Sequence, residues 1–150
     1  MGKEYRYTES GLDNVVLVDL PECVDDAGEV CVTIPRINLL HKAIAAGIVT
    51  RNGAMDGPEL KFLRTMLGMT QAELAKIVNR DAQSVGRWER GEVESDPNAE
   101  AIVRLVAAER LQLKINAPIE DVTGWCIQTV GPAAIRIDAS DPTNYRLLAA

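Results

Sequence analysis

The stretch from Gly68 to Gly91 constrains this chain more than any other, because helix-starting and helix-stopping residues alternate there at short intervals. Thr70 is an N-cap, and Glu73 three residues later completes a capping box. Leu74, Ile77 and Val78 then form the apolar face of a helix. Asn79-Arg80 makes the turn, and asparagine accepts the left-handed conformation. Asp81 is the next N-cap, Val85 and Trp88 are the buried face of a further helix, and Gly91 ends it. Two short helices joined so tightly must cross at a steep angle, so that one braces the other. Ala75 is small where they approach.

The helical pattern extends to both sides. Pro58 opens a helix with a Leu60, Leu63, Leu67 stripe, stopped by Gly68. After a loop from Gly91 to Pro97, a longer helix is expected from Asn98 to Leu113, with Ala99, Ile102, Val106 and Leu113 facing inward.

The flanks read as β. Val15 to Val18 is a β-branched run, and Glu29 to Ile34 alternates, with Val30, Val32 and Ile34 on one face. Between them, Asp25-Asp26-Ala27-Gly28 is a turn signal, so the two runs are expected to pair as a hairpin. Pro35 suits the first turn of a helix that carries Ile37, Leu40, Ile44 and Ile48. After Pro118, strands are expected at Gly124 to Val130 and Ala134 to Ile137, around Gly131-Pro132.

The expected class is α+β: an N-terminal β-hairpin plus helix, a central all-α bundle of four to five helices, and short C-terminal strands. The expected division is a β-β-α unit over residues 1–50, a polar linker over 51–57, a helical domain over 58–115 and a β extension over 116–150. The first and last segments and the long helix near residues 98 to 113 are the candidates for dimerisation, and the first segment also for partner binding.

Composition narrows the class further. With 47% hydrophobic and 25% charged residues, the chain can bury a core as a globular domain does. Its longest apolar run, Ala43 to Val49, falls well short of the ~20 residues a membrane span needs. The opening MGKEYRYTES carries no secretory signal, so a cytoplasmic protein without a membrane partner is expected. The net charge of −6 argues against coating nucleic acid by bulk positive charge. The total hides a pattern. Residues 1–57 hold 5 basic and 9 acidic side chains (−4), residues 58–91 hold 6 and 4 (+2), and residues 92–150 hold 5 and 9 (−4). The only basic segment is thus the one with the alternating helix signals.

Cys23, Cys31 and Cys126 are too few for a disulfide framework, and reduced thiols are expected. The spacing of Cys23, Cys31 and His41 matches no common zinc site, so neither metal nor cofactor is expected.

Residues 60 to 91 read LKFLRTMLGMTQAELAKIVNRDAQSVGRWERG. Thr70, Gln71, Glu73, Leu74, Ala75, Asp81, Ser84, Val85, Arg87, Trp88, Glu89 and Gly91 fall on a pattern that closely resembles the phage-repressor, or Xre/Cro, helix-turn-helix family. That resemblance implies a DNA-binding regulator whose helix at about residues 82–90 enters the major groove. Gln83 can pair bidentately with adenine, and Arg87 with guanine or a phosphate. Ser84 can serve a base or a phosphate, and the Ala82 methyl can touch a thymine methyl. Gln71 matches the family position that grips the DNA backbone, helped by the helix dipole. Arg80 and Arg90 are candidate phosphate contacts. Arg64 and Glu89 match a family pair that braces the first helix of the motif against the end of the third. Trp88 follows the apolar spacing and is read as core. Gly86 departs from the usual hydroxyl residue, weakens its helix by about 1 kcal/mol relative to alanine, and admits close backbone approach.

No enzyme signature accompanies this motif. The chain lacks GxSxG, a P-loop, HExxH and GxGxxG, and its single histidine adjoins no nucleophile signature. A single helix-turn-helix binds weakly, so a homodimer on a palindromic operator in double-stranded DNA is expected. The N-terminal layout also resembles antitoxins of the MqsA kind, which bind a toxin with one half and repress their own operon with the other. That family's zinc site is built from CxxC pairs, and this chain has none. Three readings stand: a transcriptional repressor, an antitoxin that binds a toxin and autoregulates, and an interaction module that has lost DNA binding.

Overall fold

The computed structural model describes residues 3–127 and 134–148. Four strands come first: β1 (Glu4–Arg6), β2 (Val15–Val18), β3 (Glu22–Val24) and β4 (Val30–Val32). Six helices follow: α1 (Ile37–Thr50), α2 (Gly57–Met66), α3 (Gln71–Ile77), α4 (Ala82–Glu89), α5 (Pro97–Arg110) and α6 (Ile119–Trp125). Strands β5 (Ile135–Asp138) and β6 (Arg146–Leu147) close the chain. The fold is α+β, as expected. The chain divides into two compact units, residues 1–44 with 133–150, and residues 45–132.

The first unit is built on a four-stranded sheet in the order β1-β2-β5-β6. Strands β2 and β5 run parallel, with Val15 opposite Ile135 and Leu17 opposite Ile137. All four side chains are buried, since alternate residues of a strand share a face. The outer strands pair antiparallel, β1 on β2 and β6 on β5. On α1, Leu40 and Ile44 are buried, and the half-buried His41 imidazole shares a 2.8 Å hydrogen bond with the Tyr7 hydroxyl. Burial holds that imidazole below its ordinary pKa.

Several expectations are corrected here. The turn at Asp25 to Gly28 forms, with the Asp25 carboxylate accepting the Ala27 and Glu29 N–H groups, but it joins β3 to β4. The Val15 to Val18 run does not take part in that hairpin; it is a central strand of the sheet, and β-branched runs suit burial on a flat ladder. Cys23 and Cys31 are cross-strand partners on β3 and β4 and are joined by a disulfide, not held as reduced thiols. Pro35 lies outside α1, because Arg36 adopts a left-handed φ of 54° before the helix begins. The strand expected from Gly124 is replaced at its start by the end of α6; residues 128–130 of that expectation lie outside the described residues.

The second unit contains the helices that carry the motif. Helix α2 starts with a capping box, in which Asp56 accepts the Glu59 N–H and Glu59 accepts the Asp56 N–H. Residues 51–57, read as a linker, are tied into this unit. Arg51 donates to both carboxylate oxygens of the fully buried Glu59 at 2.6 Å. Arg104 of α5, also fully buried, donates to the carbonyls of Arg51 (2.6 Å) and Gly53, and to Glu100 Oε2 at 3.0 Å. Glu100 Oε1 accepts the Met55 N–H at 3.0 Å. This buried ion pair also corrects the inward face of α5. Ala99, Glu100, Val103, Arg104 and Ala107 are buried, while Ile102 and Val106 are only half-buried and Leu113 lies past the helix end.

Candidate nucleic-acid interface

The crossing of α3 and α4 is set by their ends. Thr70 accepts the Glu73 N–H and Glu73 accepts the Thr70 N–H, so α3 starts abruptly. At its other end, the Arg80 N–H reaches the Ala75 carbonyl and the Asn79 N–H the Lys76 carbonyl, a Schellman turn with Asn79 at φ 58°. Asp81 then caps α4 by accepting the Ser84 N–H at 2.7 Å. That bond holds the Asp81 carboxyl below the usual carboxylate range. A second Schellman turn, with Gly91 at φ 74°, ends α4 and bonds the Glu92 N–H to the Arg87 carbonyl at 3.0 Å.

Two contacts hold α4 from behind. Arg64 of α2 donates from Nε to Glu89 Oε2 (2.6 Å), from Nη2 to Glu89 Oε1 (3.0 Å) and from Nη1 to the Met69 carbonyl (2.9 Å). Such a bidentate pair fixes direction as well as distance. The first residue of α2, Gly57, lies hard against the end of α4. A Cβ there would fall 2.6 Å from the Trp88 carbonyl oxygen and closer still to that of Glu89. Nothing in the polar segment from Thr50 to Gly57 marks this glycine out from sequence; the contact is tertiary. Val85 and Trp88 are buried, so one face of α4 is committed to the core.

The other face is open. Gln71, Ala82, Gln83, Gly86, Arg87 and Arg90 line one shallow concavity of about 350 Å³. Gln71 donates from Nε2 to Glu89 Oε1 at 3.0 Å, so the pair behind α4 also orients a side chain in front of it. Gly86 makes room for this. A Cβ at that position would lie 3.0 Å from Arg90 Nη1 and 3.4 Å from Gln71 Oε1. The room above Gly86 is therefore occupied by two side chains of the same surface.

Ser84 and Arg80 do not line the concavity. Ser84 sits at the capped start of α4. Arg80 is exposed in the turn before α4 and donates from Nη2 to Asp96 Oδ2 at 2.8 Å. Arg90 is exposed at the other end and donates from Nε to the Glu92 carboxylate. Sequence reading did not pair these two arginines with acids. The signals were present: Glu92 lies two residues from Arg90, and Asp96 stands where an N-cap precedes Pro97.

A short helix braced from behind, with its N-terminal side chains outward, is the geometry that lets a helix enter a groove. Residues 60–108 match the helix-turn-helix family model. This part of the chain is a helix-turn-helix domain of the Xre/Cro type. Helix-turn-helix domains of this kind are DNA-binding regulatory domains, and the match runs from within α2 through most of α5. Comparison with curated proteins found no match, and comparison with solved structures found none either. Among the described residues, no helix is long and apolar enough to cross a membrane.

Proposed function

We propose that the chain is a sequence-specific transcriptional repressor that reads the major groove with α4. The observation that carries this reading is the concavity in front of α4, where Gln71, Gln83, Arg87 and Arg90 converge on a braced, outward-facing helix. Gln83 offers the donor and acceptor that an adenine edge requires, and Arg87 the paired donors that a guanine edge requires. Ala82 and Ser84 fill the positions beside them. Gln71, Arg80 and Arg90 take phosphates on either side and set the register. The protein acts as a homodimer on half-sites ~34 Å apart, because one such unit buries too little surface to bind tightly.

The test is binding of the purified chain to its own upstream DNA, by fluorescence anisotropy against a scrambled duplex. Selective binding that Gln83→Ala and Arg87→Ala each weaken supports the reading. Equal affinity for both duplexes at every salt concentration speaks against specific readout. Sedimentation of the complex reports the number of copies bound.

One observation favours a second reading, an antitoxin that binds a partner through its N-terminal part. Residues 21–30 are exposed throughout, and the β3–β4 hairpin displays Val24 and Val30 beside Asp25, Asp26 and Glu29. That surface suits a basic partner. Co-expression with the neighbouring gene product decides between the two readings, since only an antitoxin co-purifies with it in stoichiometric amounts.

A further inference from the structure

We propose that the acidic loop between α4 and α5 is a built-in counter-ion that competes with DNA phosphates for the arginines flanking α4. The proposal rests on the DNA-binding reading above and adds a control on its affinity. Residues 91–96 read Gly-Glu-Val-Glu-Ser-Asp, three carboxylates with no basic residue among them. Two of these acids meet two of the candidate phosphate contacts, the arginines at opposite ends of α4. Glu92 takes Arg90, and Asp96 takes Arg80.

Neither carboxylate is on a loosely held backbone. The Glu92 N–H is bonded to the Arg87 carbonyl in the Schellman turn, which sets Glu92 directly beyond the end of α4. Asp96 caps α5, where its Oδ1 accepts the Asn98 N–H at 3.3 Å while its Oδ2 accepts from Arg80. Both pairs are solvent-accessible, with side-chain exposures of 61% and 53% for Arg90 and Glu92, and 48% and 30% for Arg80 and Asp96. Exposed pairs are weak and exchangeable. A guanidinium presents the same fork to a carboxylate and to a phosphate.

A phosphate approaching Arg80 or Arg90 therefore has two options. It displaces the carboxylate, or it sits beside it and suffers like-charge repulsion. Either way the loop lowers affinity for any DNA sequence. It also lowers the salt dependence, because an arginine already neutralised internally contributes less to the release of cations from DNA. The base-reading side chains Gln83 and Arg87 are untouched by this device, so it damps the sequence-independent part of binding.

The experiment uses the full chain and a random-sequence duplex two helical turns long, titrated from about 50 to about 200 mM salt. Glu92→Gln and Asp96→Asn each remove one charge; asparagine retains the cap of α5. Each variant is expected to bind the random duplex roughly two- to fivefold more tightly at low salt. Each is expected to steepen the plot of log affinity against log salt by up to about 0.9. The Glu92→Gln effect should vanish in an Arg90→Ala background, and the Asp96→Asn effect in an Arg80→Ala background. An unchanged slope and affinity in both variants overturns the proposal while leaving the DNA-binding reading intact. Effects that persist in the arginine-free backgrounds also overturn it, because they would reflect net charge alone. If the unaltered chain binds neither random nor upstream DNA at any salt, the DNA-binding reading fails and the proposal falls with it. Thermal unfolding of each variant verifies that it is folded.

Discussion

Two sets of arginine–carboxylate pairs in the helical unit use the same chemistry to opposite ends. Around the segment that leads into α2, Arg104 and Glu100 are 0% and 1% exposed at the side chain, and Arg51 and Glu59 are 12% and 0%. At the two ends of α4, the pairs of Arg80 and Arg90 are open to water. Burial makes the difference. A buried charge that loses its partner has no water to turn to, so the pair is obligatory once the fold exists. An exposed pair trades its partner for water or for a phosphate at little cost. The first set orders the segment from Arg51 to Asp56 and so positions the start of α2. The second leaves the flanks of α4 able to change partners. Arg64 and Glu89 stand between them: buried enough to be fixed, and connected to the open face through Gln71.

The largest expected effect tests the buried set. Arg104→Ala strands the Glu100 carboxylate and the carbonyls of Arg51 and Gly53. It should cost about 3–5 kcal/mol in urea denaturation, against less than about 0.5 kcal/mol for Arg90→Ala. Equal effects from the two variants would erase the contrast.

The next effect concerns the backing of α4. Gly57→Ala drives a methyl group into the Trp88 and Glu89 carbonyls and should destabilise by about 1–3 kcal/mol through overpacking. Arg87→Ala on the open face should leave urea denaturation unchanged and cost about 1–3 kcal/mol of binding at one base position, read from an operator mutation series.

A smaller effect compares the two glycines. Gly86→Ala meets only the movable ends of Arg90 and Gln71, and alanine is the better helix former. Stability should rise by up to about 1 kcal/mol while selectivity changes, because Gln71 is displaced. A fall in stability like that of Gly57→Ala would show that the open face is packed as rigidly as the buried one.

The smallest effect at ordinary pH comes from Cys126. Burial, followed by the neighbouring Glu100 carboxylate, pushes its thiol from 9.0 up to about 12. The unfolded chain therefore loses this proton near pH 9 while the folded chain keeps it. The contribution to stability is unaffected below that pH and falls as pH rises between 9 and about 12. The slope is at most about 1.4 kcal/mol per pH unit. Denaturation of Cys126→Ala against the parent between pH 8 and 10 checks it; a parallel pH dependence in both proteins would place the thiol in a wetter site.

Much of the helical unit was legible because its signals are local. Thr70 with Glu73, Asn79, Asp81 and Gly91 each act on backbone groups within a few residues, and each cap or turn formed where its residue stands. Helix α5 was legible as a helix but not in its facing. An apolar count puts Ile102 and Val106 inside, whereas the structure buries Glu100 and Arg104. No periodicity reveals that a charge will be buried when its partner carbonyls come from residues some fifty positions away. The hairpin turn at Asp25 was likewise legible, as was the strand after it, but not the strand before it, which is Glu22–Val24 and not Val15–Val18. Strand β2 lies between the nearby β1 and β5, the latter more than a hundred residues further along the chain and in parallel register.

The sequence alone determined the helix-turn-helix pattern and its ends, because caps, Schellman turns and helical stripes are written in neighbouring residues. It also determined which side chains head the fourth helix. The tertiary structure decided which of those side chains share a surface, and that Gln71 is turned by Glu89 while Gly86 leaves it room. It decided too that some arginines are locked inside and others are held only lightly by acids. The physical reason is range. A cap is satisfied by an N–H three residues away, whereas the worth of a charge depends on how much water the rest of the chain removes from around it.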